Sequence, residues 1–169
     1  ILAATNPEAL FPVYNSYFKW GYINKVGKVV IPHRFEMARN FSDGLAEVEI
    51  ESKYGYIDTT GKLVIPAQFD SVDAFSEGRA KVRKGGKDYF IDSSGKIVFE
   101  PAYVKVGEFH EGLAPVAFDC EWTDSYGQPA GCKQGYIDLS GALVLIATGA
   151  AAVGEFSNGW APFEKDSGK

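Results

Sequence analysis

Trp20-Gly21-Tyr22-Ile23 returns 34 residues later as Tyr54-Gly55-Tyr56-Ile57, and that return decides the fold. Gly27-Lys28 comes back as Gly61-Lys62, and Val30-Ile31-Pro32 as Val64-Ile65-Pro66. Phe35, Phe41, Ser42, Gly44, Ala46 and Val48 return as Phe69, Phe75, Ser76, Gly78, Ala80 and Val82. About half of the aligned positions are identical without a gap, which makes chance a poor explanation. A fixed period of this size is the mark of stacked repeats.

A third copy keeps the offset with Phe90-Ile91-Asp92, Gly95-Lys96, Tyr103, Phe109, Gly112, Ala114 and Val116. The fourth begins at Gly135-Tyr136-Ile137-Asp138, where the spacing grows to 46 and about 12 residues are inserted. It closes with Phe156, Gly159, Ala161 and Pro162, and Ala147–Ala152 replaces the expected proline and aromatic. Upstream, Leu10-Phe11-Pro12-Val13 echoes Leu113-Ala114-Pro115-Val116. The units read as 9–43, 44–77, 78–111 and 112–158 with a partial 159–169, all within a single repeat domain, 1–169.

Each unit reads as three strands. Around the second copy they are Tyr54–Asp58, Lys62–Ile65 and Gly78–Arg83, the last feeding the next unit. Asp58 can accept a turn hydrogen bond and Gly61 can take positive φ, so the two close a hairpin. Asn24…Gly27, Asp92…Gly95 and Asp138…Gly141 repeat that solution. Phe75-Ser76-Glu77-Gly78 is a second turn, repeated at Phe41, Phe109 and Phe156. Pro32 and Pro66 are expected to end strands. Alternation turns Ala46 and Val48 inward and Glu47 and Glu49 outward, opposite Lys81 and Arg83 one repeat later. No stretch has helical periodicity.

One meander cannot bury a face alone, so neighbours must stack through the recurrent Phe and Ile/Val positions. The fold expected is all-β: tandem three-stranded antiparallel β-meander repeats in an open solenoid-like or a propeller-like array. A propeller blade has four strands in about 40–45 residues, so this period suits three.

Lys19-Trp20-Gly21-Tyr22-Ile23, followed by Gly27-Lys28-Val29-Val30-Ile31-Pro32, resembles the WG-repeat family, also called KWG repeats and common in bacteria. Tyr54-Gly55-Tyr56-Ile57-Asp58 and Lys133-Gln134-Gly135-Tyr136-Ile137-Asp138 carry the motif again, and the resemblance spans about residues 9–165. Tyr89 departs from it where the motif has Gly, and the fourth copy lacks its proline. The resemblance implies a binding scaffold and names no partner.

Composition narrows the function. The 169 residues are 46% hydrophobic and 14% aromatic with 19 glycines, a profile of short strands between tight turns. A net charge of −5 argues against a nucleic-acid partner, which calls for a basic patch. No apolar run approaches the roughly 18 residues of a membrane span.

Catalytic constellations are missing from the sequence. It has no Gly-x-Ser-x-Gly elbow, P-loop or dinucleotide fingerprint. His33 follows Pro32, and His110 replaces the turn serine of Ser42, Ser76 and Ser157. Neither has a Cys or His at metal-ligand spacing, so both read as surface or turn residues, with no metal and no cofactor expected. The acids before the hairpin glycines recur in every later copy, which marks them as turn builders.

The insertion differs from everything around it. Asp119 through Cys132 breaks the period between two strands that should pair, and the chain's two cysteines lie at its two ends. Hairpin pairing brings Cys120 and Cys132 within bridging reach, so a disulfide is expected, and with it an extracytoplasmic location, periplasm or secreted. Trp122 and Tyr126 stand among Asp119, Glu121 and Asp124. Aromatics on a stapled loop suit protein recognition, because the loop is ordered before it binds.

The expectation is a non-catalytic protein-binding module whose partner-binding residues are Trp122, Tyr126, Asp119, Glu121 and Asp124. Its sharper form is an antagonist, such as the immunity protein of a toxin or of an envelope enzyme. Rival readings are a cell-wall or carbohydrate-binding module and a structural spacer within a longer repeat protein.

Overall fold

The computed structural model describes residues 9–123, 126–127 and 129–165, with only the main chain at Trp122 and Pro129. The first sheet orders β1 (Phe11–Tyr14), β2 (Trp20–Ile23) and β3 (Val29–Phe35) as an antiparallel meander. The second holds β4 (Met37–Ala38), β5 (Leu45–Ile50), β6 (Lys53–Asp58) and β7 (Leu63–Phe69). The third holds β8 (Ser71–Val72), β9 (Ala80–Lys84), β10 (Lys87–Ile91) and β11 (Ile97–Phe99).

In chain order there follow β12 (Lys105–Val106), β13 (Leu113–Phe118), β14 (Trp122–Thr123), β15 (Pro129–Ala130), β16 (Lys133–Asp138) and β17 (Leu143–Ile146). β12, β13, β16 and β17 make the fourth sheet, and β14 pairs with β15 as a separate ribbon. β18 (Ala150–Val153) pairs with β19 (Phe163–Lys165). The all-β meander repeats are as the sequence indicates, and each four-stranded sheet adds one two-residue strand at its edge. By contacts the chain falls into two units, 1–97 and 98–169.

Both recurrent turns form as their residues dictate. Asp58 Oδ1 accepts from Thr60 N at 2.9 Å, Thr60 Oγ1 at 2.6 Å and Lys62 N at 3.0 Å, and Gly61 has φ of 85°. These hydrogen bonds, Thr60's first, hold the Asp58 carboxyl below its ordinary pKa. In the second turn two consecutive residues have positive φ: Asp43 and Gly44, Glu77 and Gly78, Glu111 and Gly112, Asn158 and Gly159. That is the requirement of a type I′ turn.

Within residues 1–97 the core lies between copies. Tyr22, Ile31 and Phe35 of the first copy pack with Ala46, Val48 and Ile57 of the second. Tyr56, Ile65 and Phe69 of the second pack with Ala80, Val82 and Ile91 of the third. Tyr56 and its neighbour Ile57 therefore serve opposite faces of one sheet, and both faces are covered. Burying each such side chain contributes about 1.5–3 kcal/mol before entropy is counted.

That double burial corrects one expectation. Glu47 does not face solvent: it shares the sheet face of its cross-strand partner Tyr56 and is 3% exposed. Burial raises its pKa, Arg39 and its own backbone N–H pull it down, and Asp73 raises it further. Lys81 pairs with Asp73 at 3.2 Å and Arg83 with Asp88 at 3.6 Å.

The prolines are a second correction. β3 and β7 run through Pro32 and Pro66 to Phe35 and Phe69. Opposite Trp20 to Tyr22 the outer strand spans Phe35 to Ile31, two residues more, and the same excess lies opposite Tyr54 to Tyr56. Proline sits in that bulge on an outer strand, where no ladder donor is needed.

The bulge also explains the motif glycine. A Cβ on Gly21 would lie 2.6 Å from Ile31 O, and one on Gly55 would lie 2.5 Å from Ile65 O. Where Tyr89 takes the glycine's place, the outer strand β11 covers only Ile97–Phe99. A side chain at that position bars the close approach of a bulged neighbour.

Candidate functional site

In the second and third copies the hairpin that enters the central strand is short. Two residues suffice between β5 and β6 (Glu51 and Ser52) and between β9 and β10 (Gly85 and Gly86), all four at positive φ. The insertion occupies this same place between β13 and β16. The last rung below it is Phe118↔Lys133. The 119–132 segment is thus an enlarged hairpin tip, and the rest of the fourth sheet keeps its register.

Three features fix its neck. Cys120 and Cys132 are joined by a disulfide, as the hairpin geometry predicts. Asp119 turns the chain at φ of 50°. Its carboxylate accepts a hydrogen bond from Lys133 Nζ, and this pairing holds the ammonium above its ordinary pKa. Both groups are largely exposed, so the pair orients the neck more than it stabilises it. Beyond the neck, the β14–β15 ribbon pairs Trp122 with Ala130 and Thr123 with Pro129.

Tyr126 lies beyond the ribbon and is 88% exposed. Trp122 has its main chain in the ribbon, and its side chain lies outside the described structure. Asp124 also lies outside the described residues. Glu121 is exposed and lines a cleft of about 640 Å³ beside the neck, with Lys133, Gln134 and Thr148 as its other polar walls. Ile146, Ala147, Ala150 and Ala151 supply apolar walls. The structure therefore brings Asp119 and Glu121 together around Lys133, and Tyr126 stands exposed further along the loop.

The cleft could not be seen in the sequence. Its floor is the alanine-rich 147–151 segment, which reads there as a degenerate repeat. Two exposed aromatics at the first hairpin tip, Tyr17 at 82% and Phe18 at 81%, were equally illegible because that tip follows a divergent strand. A further exposed apolar strip is β17, where Leu145 is 45% exposed. Leu145 takes the place that Ile31, Ile65 and Phe99 hold in earlier copies, and on each of those the next hairpin glycine is seated.

Among the described residues no helix is long and apolar enough to cross a membrane. The family described as WG containing repeat matches the chain over residues 20–54, 54–87 and 90–119. No curated protein and no solved structure matches the chain.

Proposed function

The chain belongs to the WG-containing repeat family, and we propose that this member is a non-catalytic protein-binding module that recognises its partner through the stapled 119–132 tip. One observation carries the reading. A hairpin that needs two residues in the second and third copies here has fourteen, closed by a disulfide and bearing an exposed tyrosine. A pre-ordered loop loses little conformational entropy on binding, and exposed aromatics are the usual anchors of protein interfaces. Asp119, Glu121 and the cleft beside them supply a polar rim. The disulfide supports an extracytoplasmic setting, periplasmic or secreted. The sharper reading is an antagonist whose loop enters the active site of a toxin or envelope enzyme.

The test replaces residues 119–132 by Gly-Gly, the connection used between Lys84 and Lys87. Intact and shortened chains are used to capture proteins from envelope and secreted fractions. A protein held only by the intact chain supports loop recognition, and inhibition of that protein is then assayed. Equal capture by both chains would remove the loop from the argument.

The spacer reading has its own observation, the exposed Leu145 strip, which offers what the next hairpin covers elsewhere. Capture of nothing by either chain, together with no binding to purified glycans, would favour it.

A further inference from the structure

The type I′ turns of the first and second copies are latched to one another. Ser42 Oγ donates to Phe75 O at 2.7 Å, and Asp43 Oδ2 accepts from Gly78 N at 2.8 Å. Between the third and fourth copies the acidic latch persists, with the Glu111 carboxylate accepting from Asn158 N and from Gly159 N. The serine latch does not persist, because His110 stands in its place.

Two more substitutions accompany that histidine. The residue before the turn phenylalanine is Asn40 or Ala74 in the first two copies, and Glu108 or Glu155 in the last two. His110 Nε2 lies 3.2 Å from Glu155 Oε2 and 3.8 Å from Glu108 Oε2. One donor atom from each residue falls within 4.8 Å of the others. The Nε2 atom is itself shut off from solvent and makes no hydrogen bond, although the ring as a whole is 40% exposed. An ion-pair distance without hydrogen-bond geometry leaves a buried polar nitrogen unsatisfied, which is costly unless something else satisfies it.

We propose that Glu108, His110 and Glu155 form a site for a divalent transition-metal ion, and that zinc is the ion they suit. One imidazole and two carboxylates are a borderline donor set that favours zinc over calcium, which takes oxygen alone. A zinc ion about 2.0–2.1 Å from each donor requires tetrahedral donors about 3.3 Å apart. The His110 to Glu155 separation already meets this. The glutamate side chains are 70% and 50% exposed, so they are free to close the remaining gap. The ion would take over the role of the missing serine and tie the third turn to the fourth within residues 98–169.

The test titrates zinc chloride into the full chain, disulfide intact, by calorimetry, with the two histidine ring signals followed by NMR. One zinc per chain is expected, with the His110 signal moving and the His33 signal still. His110→Ser restores the residue used at the other three turns, so the fold is expected to survive. It should weaken zinc at least about 10-fold, the loss that even an outer-shell partner commonly causes. His33→Ser should change nothing. Absence of binding at millimolar zinc, an unmoved His110 signal in the wild-type chain, or equal affinity in the His110→Ser chain would each overturn the proposal. So would calcium bound as tightly as zinc.

Discussion

Gly61, in the hairpin turn of one copy, is seated on the side chain of Ile31 in the copy before it: a Cβ at Gly61 would lie 2.9 Å from Ile31 Cγ2. Gly95 repeats the contact on Ile65, and Gly141 on the ring of Phe99. Gly27 has the same kind of φ, 78°, and nothing within 4 Å of its Cβ position. Gly27→Ala should therefore lose only the left-handed penalty, about 1–2 kcal/mol. Gly61→Ala should lose that and a further ~1–3 kcal/mol of overpacking. Urea unfolding of the two variants measures the difference, and equal losses would mean that the seat on Ile31 is not tight.

Tyrosine hydroxyls fasten three of the four copies. Tyr22 donates to Arg39 O at 2.7 Å, Tyr56 to Asp73 O at 2.7 Å and Tyr136 to Gly154 O at 2.9 Å. The third copy has Phe90 at this position and is nevertheless buried there. Tyr56→Phe is expected to keep the fold and lose about 1–3 kcal/mol, because the Asp73 carbonyl then loses a buried partner. Chemical denaturation checks it, and no loss at all would show that the carbonyl finds water.

Glu47 makes stability depend on pH. Burial raises its pKa in the folded chain, so the folded state binds its proton more readily than the unfolded state does. Its contribution is fully present below the unfolded carboxylate value and is lost as pH rises through the higher folded value. Glu47→Gln mimics the protonated form. The variant should melt at a higher temperature than the parent at pH 7, and the gap should close as pH falls toward 4. A gap that is constant with pH would mean that Arg39 fully compensates the buried charge.

The disulfide should matter to the fourth copy more than to the fold as such. Replacing Cys120 and Cys132 by serine opens a 13-residue loop and is expected to lose up to roughly 3 kcal/mol in the chain-entropy model. The β13–β16 ladder should survive, since two-residue tips close the same ladder elsewhere. Denaturation with and without reductant reads the loss, and hydrogen exchange at Ala114 and Ile137 reads the ladder. Fast exchange at both residues in the serine variant would show that the staple holds the sheet.

Much of this protein is written locally. The turn residues Asp58 and Gly61, the type I′ pairs and the period between Gly21 and Gly55 each act within a few residues, so the all-β meander repeats and the bridged insertion follow from the sequence by itself. Hairpin pairing alone brings Cys120 to Cys132. Stacking decided the rest. Whether Glu47 meets water depends on a neighbouring copy covering the second face of its sheet, which alternation along one strand cannot reveal. Whether Pro32 ends its strand depends on the bulge that Gly21 lets in from the side. His110 meets Glu155 only because the third turn is laid on the fourth, and the cleft beside Glu121 exists only where the 147–151 segment passes the neck of the loop. These are contacts between parts distant in sequence, created when repeats pack, and no single repeat contains the information that fixes them.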